Sequence, residues 1–294
     1  MNSKPTILVT GATGQVGGGV VNFLKDDPTV QVVAAARNPS KATASGVSVV
    51  ELDFDKPGTF ETALEGIDRV FLVTGYTVDM LRQSKVFLDA ARKAGVSHVV
   101  HLGACGGDDA TVGHWVWHQL IERYIEWSGF TFTHIRPEQF MQNLLGYSGK
   151  PTIVNGAIEQ YFGDARLSWV DCEDVSAVSA ISLRDVAAHH GKIHRMGYDA
   201  QSLHGVAAIL SEVVGGSFTY NPRPPEEFLA NALAGGADPA YMKCVFDHYQ
   251  AYAEGRIPNP DEVFDNFEGI VGRQPVRWSD FAAKHRDSFR KNSA

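Results

Sequence analysis

The sequence predicts an α/β fold, a doubly wound parallel sheet with a smaller C-terminal lobe interleaved with it. Short apolar runs alternate with amphipathic stretches five times before residue 137, which is typical of parallel strands joined by crossover helices. The first run leads into a glycine turn and a helix, within T-I-L-V-T-G-A-T-G-Q-V-G at residues 6–17. We therefore expect a core over residues 1–137. Residues 138–294 should form mainly a substrate-binding lobe, with some segments returning to the core.

The glycine turn predicts a dinucleotide site. An apolar strand at residues 7–9 is followed by Gly11, Gly14 and Gly17, spaced G-x-x-G-x-x-G. Gly11 allows a tight turn, Gly14 lets the backbone approach phosphates, and Gly17 lets the helix pack on the strand. The helix N-terminus attracts the pyrophosphate. The spacing alone would also suit a glycine-rich turn in an unrelated protein, but its place between strand and helix favours a Rossmann-type fold.

The end of the second strand bears on the choice of cofactor. This strand is predicted at residues 31–36, and the adenosine ribose lies at its end in dinucleotide folds. An acidic residue there favours NAD, whereas a basic one accommodates the extra phosphate of NADP. Here Arg37 and Lys41 are basic and no Asp or Glu stands at the strand end. The sequence therefore favours NADPH, although a solvated surface pair would also explain both cations.

Four more strands are expected before the lobe, and their ends supply further cofactor contacts. The strands are predicted at residues 47–52, 67–74, 96–104 and 130–135, with helices at residues 58–66, 79–94 and 114–128. From the turn and the strand ends, the predicted cofactor contacts are Gly11, Thr13, Gly14, Gln15, Val16, Gly17, Arg37, Asn38, Lys41, Asp53, Phe54, Thr74, Gly75, Tyr76 and Gly103. Beyond residue 138 the pattern loosens. Amphipathic stretches follow at residues 174–188 and 202–214, and helices near residues 226–233 and 241–252 should cover the cofactor end of the sheet.

The composition limits which classes of partner the protein can bind and which cellular compartment it is expected in. The 294 residues include 26 Lys and Arg against 34 Asp and Glu, a net charge of −8, which argues against nucleic acid or anionic membranes as partners. The three cysteines are far apart and not in metal-ligand spacing, so we expect free thiols in a reducing compartment. No stretch approaches the roughly 20 apolar residues of a membrane span, and no signal peptide is evident. We expect a cytoplasmic protein.

Four stretches resemble the NmrA-like group of atypical short-chain dehydrogenases. They are T-G-A-T-G-Q-V-G at residues 10–17, A-R-N-P-S-K-A at 36–42, W-S-G-F-T-F-T-H-I-R-P-E-Q-F-M-Q-N-L-L at 127–145 and W-V-D-C-E-D-V-S-A-V at 169–178. The resemblance implies NADPH-dependent reduction of quinones or triphenylmethane dyes, although the group also includes redox-sensing regulators without activity. It further implies that Pro137, Phe140 and Asn143 line the nicotinamide and substrate pocket.

The sequence departs from this family at the catalytic position. Most short-chain dehydrogenases use a Tyr-x-x-x-Lys pair, and no tyrosine of this chain has a lysine four residues on. Many NmrA-like members keep the lysine, and that position is His118 here. His114 lies one helical turn earlier on the same face. We take both as candidate catalytic residues, His118 also as a cofactor contact.

The chemistry open to His118 is that of an imidazole. A neutral ring would hydrogen-bond the nicotinamide ribose, and a pKa near neutrality would let it relay a proton. The alternative is a structural histidine that caps the loop. Two histidines at this spacing can also bind a metal, but the H-E-x-x-H pattern and a third ligand are missing, so we predict no metal.

The substrate is expected to be a small aromatic molecule. Tyr76, Trp115, Phe140 and Asn143 are the candidate substrate contacts, with core packing the alternative for Trp115. The leading hypothesis is an oxidoreductase that transfers hydride from NADPH to a quinone or related conjugated aromatic acceptor. A non-enzymatic NADP(H)-binding redox sensor is the first alternative. The second is a tailoring oxygenase, ketoreductase or isomerase acting on an aromatic natural product. Both a monomer and a homodimer remain open.

Overall fold

The computed structural model describes residues 4–41, 46–146 and 151–291, except the side chain of Lys41. Its strands are β1 (Thr6–Val9), β2 (Gln31–Ala36), β3 (Ser48–Glu51), β4 (Arg69–Leu72), β5 (His98–Leu102), β6 (Thr131–Pro137), β7 (Gln139–Phe140), β8 (Ile153–Val154), β9 (Ala157–Gln160), β10 (Arg166–Val170), β11 (Lys192–Met196), β12 (Asp199–Ser202) and β13 (Thr219–Pro222). Its helices are α1 (Gln15–Leu24), α2 (Phe60–Ala63), α3 (Met80–Ala94), α4 (Gly113–Trp127), α5 (Cys172–Arg184), α6 (Val186–His189), α7 (Leu203–Val214), α8 (Pro225–Ala234), α9 (Pro239–Ala253), α10 (Phe267–Val271), α11 (Trp278–Lys284) and α12 (Arg286–Lys291).

Among the described residues, seven parallel strands form the central sheet, in the order β11-β6-β5-β4-β1-β2-β3. The prediction of a doubly wound parallel sheet is confirmed. The chain runs outward from β1 to β3 and then returns to β4 on the other side of β1. Strand order therefore reverses between β1 and β4, and such sheets bind ligands in the crevice at that point. Thr10 joins the two strand ends there, because its hydroxyl donates to the Phe71 carbonyl at 2.9 Å and accepts from the Val73 N–H at 2.8 Å.

Helices cover both faces of the sheet, as the alternation of side chains along β1 requires. Ile7 and Val9 face one side, where the apolar residues of α1 and α5 pack. Leu8 faces the other side, together with Val99 of β5 and the apolar stripes of α3 and α4. Both β5 and β6 are therefore buried on two faces, so any polar side chain they carry toward a helix is enclosed.

Segments from the second half of the chain complete this core. β11 pairs with β6 at the sheet edge, with His194 opposite Ile135. α5 lies against α1 so closely that a Cβ on Gly19 would stand 2.2 Å from the Ser176 hydroxyl oxygen. That hydroxyl donates to the Val16 carbonyl at 3.0 Å. The predicted stretch at residues 174–188 begins two residues earlier than expected, after the Asp171 cap, and breaks at Asp185 into α5 and α6.

The lobe has an aromatic core of its own. Trp169 of β10 and Trp278 of α11 are fully buried and meet edge to face, with ring centroids 5.1 Å apart. Two small sheets, β12-β10-β7 and β13-β9-β8, frame this core within the described residues. Helix α9 extends from the lobe to α4 and brings Tyr241 beside Trp117. In the parts of the chain that the structure describes, no helix has both the length and the apolar character needed to cross a bilayer.

Replacing Gly19 with alanine is expected to destabilise the protein. The added methyl would force α1 and α5 apart, and overpacking of this kind costs about 1–3 kcal/mol of unfolding free energy. Gly269→Ala is the matched control, because this glycine is also helical and an added Cβ would meet nothing within 4 Å. The control should gain up to about 1 kcal/mol from helix propensity. Urea unfolding measures both; equal stability of the two variants would contradict the packing argument.

Candidate cofactor and active site

The glycine turn leaves the start of α1 open for an anion. Gly11 has φ +62°, and the Gly14 N–H donates to its carbonyl at 2.9 Å, which closes the turn. A Cβ on Gly17 would lie 2.3 Å from the Gly11 oxygen, so only glycine lets the helix start this close to the turn. Gly14 is the N-cap and has no side chain to satisfy the first backbone N–H groups. Together with the exposed Thr13 and Gln15, this backbone fits a pyrophosphate.

Most of the other predicted cofactor residues follow strands at the same edge of the sheet. They lie after β2 (Arg37, Asn38), after β3 (Asp53, Phe54), after β4 (Thr74, Gly75, Tyr76) and after β5 (Gly103), and Pro137 ends β6. Arg37 is exposed, and the described residues offer it no ion-pair partner. The side chain of Lys41 lies outside the described part of the structure. Val16 is buried beneath α1 in the core, so it supports the turn from below.

The two candidate catalytic histidines lie in the first turns of α4, beside the carboxyl end of β5. The His118 Nδ1 is 3.2 Å from the Nε2 of His101, a fully buried residue of β5. Burial, with a contribution from nearby His114, lowers the pKa of His118 to about 3. The expectation of a pKa near neutrality is therefore wrong, because neighbouring protein atoms desolvate the ring although the residue stays partly exposed. A neutral His118 can still form hydrogen bonds, but it is not an imidazolium that could donate a proton as a general acid.

His114 faces the aromatic surface of α9. Its ring centroid is 6.4 Å from that of Tyr241 and 5.4 Å from that of His248. Burial lowers the pKa of His114 to about 4, and its Nδ1 is buried with no hydrogen-bond partner among the described residues.

An aromatic wall stands over the ends of β4 and β5. Tyr76 is 72% exposed, and its ring meets that of Tyr241 edge to face, with centroids 6.0 Å apart. Tyr241 in turn lies 6.3 Å from Trp117 on α4. The sequence predicted a covering helix here but did not single out Tyr241, because only the fold shows which face of α9 turns toward β4.

The remaining predicted substrate residues have different surroundings. Trp115 is only 4% exposed and packs edge to face against His248 and Tyr252, the environment of a core residue. Phe140 is partly exposed and contacts the core beneath α1. Asn143 is partly exposed, and its backbone carbonyl accepts from the Thr152 hydroxyl at 3.2 Å.

A buried ion pair ties α4 to the sheet. The guanidinium of Arg136, on β6, donates to both oxygens of Glu122 on α4, at 3.0 and 2.5 Å. It also donates to Asp108 in the preceding loop at 2.8 Å. Arg136 and Glu122 are 3% and 0% exposed. This fork fixes the position of the helix that carries His114 and His118.

The same region gathers three possible metal ligands. One nitrogen each of His101 and His134 and an oxygen of Glu122 lie within 4.8 Å of one another. The Glu122 carboxylate is already engaged by Arg136, and a cation beside a guanidinium is repelled. A metal ion would therefore have to share this carboxylate with a buried positive charge, which disfavours a metal at the three groups.

A groove of about 660 Å³ opens on the outer side of the glycine turn, between α1, α5 and α11. Gly14 and Gln15 line it, and Lys284 stands at its rim beside Glu173. Asp171 also lines the groove and caps α5, accepting from the Glu173 N–H at 2.7 Å.

Glu138 was not predicted from the sequence, although it directly follows the R-P pair. Its carboxylate is 8% exposed and lies 3.2 Å from the Arg195 guanidinium. Burial raises the pKa of Glu138 to about 7, despite the attraction of Arg195. A carboxyl that titrates near neutrality thus borders the segment leading into the pocket. Motif position alone does not reveal it, because the shift comes from burial.

Known proteins resemble this chain over nearly its full length. The sequence model of the NmrA-like family matches residues 3–271. The NAD(P)H azoreductase of Xenophilus azovorans is 29% identical over 291 residues, covering 96% of this chain and 99% of that protein. The (4-alkanoyl-5-oxo-2,5-dihydrofuran-3-yl)methyl phosphate reductase of Streptomyces griseus is 30% identical over 290 residues, covering 96% and 99%. The structure of an NADPH-dependent quinone oxidoreductase from Escherichia coli, complexed with NADPH, superposes with a TM-score of 0.78 at 25% identity, covering 95% and 99%.

Replacing Glu138 with glutamine should stabilise the protein more at pH 8 than at pH 5. The folded pKa is raised above the unfolded value of 4.5, so the stability this group contributes is present below pH 4.5 and is lost as the pH rises through about 7. Glutamine cannot ionise, so the unfolding free energy of the variant relative to the wild type should rise by about 1–3 kcal/mol between pH 5 and pH 8. Urea unfolding at both pH values tests this. The exposed control Glu226→Gln should show no such trend; a Glu138→Gln difference independent of pH would contradict the assignment.

Proposed function

Because this chain belongs to the NmrA-like family, we propose that it is an NADPH-dependent reductase of a quinone or a related conjugated aromatic acceptor. Its relatives include NAD(P)H reductases of azo compounds and quinones, which supports an oxidoreductase of the NAD(P)H-dependent type. The observation that carries the proposal is the shared carboxyl edge. The uncapped start of α1 follows β1 at this edge, and Tyr76 and His114, which follow β4 and β5 there, both contact Tyr241.

The chain's own residues would bind and orient the cofactor along that edge. The Gly14–Gly17 backbone would hold the pyrophosphate, and Arg37 would pair with the ribose phosphate that distinguishes NADP from NAD. When bound, the nicotinamide supplies the hydride. His118, as a neutral imidazole, would hydrogen-bond near the nicotinamide ribose in place of the family's lysine, and it adds no positive charge there.

A flat acceptor suits the other half of the cleft. Tyr76 is exposed and offers a ring face on which a conjugated ring system can stack, and the buried Tyr241 packs behind it. Neither candidate catalytic histidine is protonated at neutral pH, since burial lowers the pKa of both His114 and His118. A quinone tolerates this lack of a strong acid, because its reduced oxygens are weakly basic and accept protons that arrive after the electrons.

The activity is tested by NADPH oxidation with a panel of benzoquinones, naphthoquinones, azo dyes and triphenylmethane dyes. We expect turnover with at least one class and faster turnover with NADPH than with NADH. Tight NADPH binding without turnover on any acceptor would refute the reductase proposal. It would favour the redox sensor, whose affinities for oxidised and reduced cofactor must then differ.

The cofactor preference is tested by Arg37→Gln. Losing a charge-assisted hydrogen bond removes about 1.5–3 kcal/mol, so the KM for NADPH should rise at least tenfold while the KM for NADH stays within about twofold. Arg92→Gln, at the far end of α3, is the control and should leave both constants unchanged. Parallel rises of both constants in Arg37→Gln would show that the residue does not select the phosphate.

A further inference from the structure

Behind His118, the sheet carries a line of buried polar groups that cofactor binding does not use. His101 on β5 and His134 on β6 are register partners across the two strands, and neither is exposed to solvent. Both point to the face covered by α4, as Val99 and Phe132 two residues earlier do. A valine would fit such a strand face, whereas each buried histidine brings polar atoms into the core at a cost in free energy. The two histidines at these positions therefore call for an explanation.

The contacts form an ordered series from the cleft outward. His118 Nδ1 lies 3.2 Å from His101 Nε2. His134 Nε2 lies 3.1 Å from an oxygen of Glu126, whose side chain is 25% exposed. The series therefore begins at the partly exposed His118 and ends at a carboxylate that solvent reaches.

One gap separates the two halves of the series. The Nδ1 atoms of His101 and His134 are buried and have no partner among the described residues. A nitrogen of each ring and an oxygen of Glu122 lie within 4.8 Å of one another. A water with hydrogen bonds of about 2.8 Å spans such a gap, and buried waters typically have about three polar partners. The three atoms of this triangle are close enough together for one water molecule to contact all of them.

We propose that Glu126, His134, a bridging water and His101 conduct protons from solvent to His118, and that this conduit supplies the proton consumed in the reaction. The inference rests on the proposed reductase function. The balance is that the acceptor gains a hydride from NADPH and one proton from solvent. Each imidazole takes a proton at one ring nitrogen and releases one from the other, so no ring in the line stays charged, and Glu126 takes its next proton from solvent.

The electrostatics agree with conduction by neutral rings. Burial lowers the pKa of His101 well below its usual value and that of His134 to about 3, so both rest uncharged with one N–H and one free nitrogen. Burial also raises the pKa of Glu126, so this carboxyl takes up a proton more readily at the solvent end. The charged groups that face the line are Glu122, Arg123, Arg136 and Asp108; Arg136 pairs with the Glu122 and Asp108 carboxylates, and Arg123 pairs with Glu126.

The test interrupts the line without touching the cleft. His134→Phe keeps an aromatic ring beside Phe132, on which His134 now stacks with centroids 4.7 Å apart. His194→Phe is the matched control, a buried histidine on β11 whose Nε2 lies 3.0 Å from His189 Nδ1. We expect His134→Phe to lower kcat at least tenfold and to raise the solvent deuterium isotope effect, with the NADPH Kd unchanged. His194→Phe should change none of these. An unchanged kcat and isotope effect in His134→Phe would overturn the conduit.

A second readout does not depend on turnover. In ¹⁵N-histidine NMR of the NADPH-free protein, His134→Phe should shift the His118 ring signals or change their tautomer, and His194→Phe should not. Failure of His118 to respond would overturn the conduit even if no acceptor is found. A wild-type protein that lacks turnover but shows this response would refute the reductase function while leaving the connection intact. Stoichiometric zinc in the purified wild type that is lost in His134→Phe would assign the triangle to a metal and also overturn the proposal.

Discussion

The fork between Arg136 and Glu122 is the interaction on which the site depends. It joins the end of β6 to the middle of α4 in a region closed to solvent, where removing one partner of a buried pair costs about 3–5 kcal/mol. The helix so fixed carries His114, His118 and Glu126 at four- and eight-residue spacings along the same face as Glu122. The positions of His118 over β5 and of Glu126 near the surface are therefore set together. Burial keeps the neighbouring His134 neutral, and the positive charges of Arg123 and Arg136 act in the same direction.

The absence of the Tyr-x-x-x-Lys pair changes the chemistry more than the shape of the site. With the cofactor placed as proposed, a lysine at position 118 would bring a permanent positive charge to the nicotinamide ribose and lower the pKa of a neighbouring acid. His118 is partly exposed but neutral, so it offers directional hydrogen bonds without that field. Acceptors that demand a strong acid at the moment of hydride transfer are poorly served by such a site. Acceptors whose reduced form collects protons afterwards are well served.

Sequence reasoning recovered the sheet and the glycine turn because both are local in origin. Apolar runs and helix stops set the strands, and a positive φ with a close approach requires glycine at positions 11 and 17. β11 was missed because K-I-H-R-M carries three basic or imidazole side chains, and only its pairing with β6 makes it a strand. The prediction for the pKa of His118 was wrong because burial depends on segments distant in the sequence. Burial lowers this pKa far below the ordinary value of an imidazole. His101, His134 and Tyr241 became visible only when β5, β6 and α9 were placed side by side.

The return of β11 and α5 to the core has a consequence for how the chain reaches its final form. Residues 1–137 contain six of the sheet's seven strands within the described part of the chain, yet without later residues β6 would present a bare edge. The groove on α1 that receives Ser176 would be open as well. During synthesis, the N-terminal part therefore cannot complete its fold until about residue 196 has left the ribosome. Until then it exposes an unpaired strand edge and apolar surface. Segments of the lobe lie on both sides of β11 in the sequence, so the lobe belongs to the same folding unit as the glycine turn. Mutations that reshape the proposed substrate side must therefore still allow the sheet to be completed.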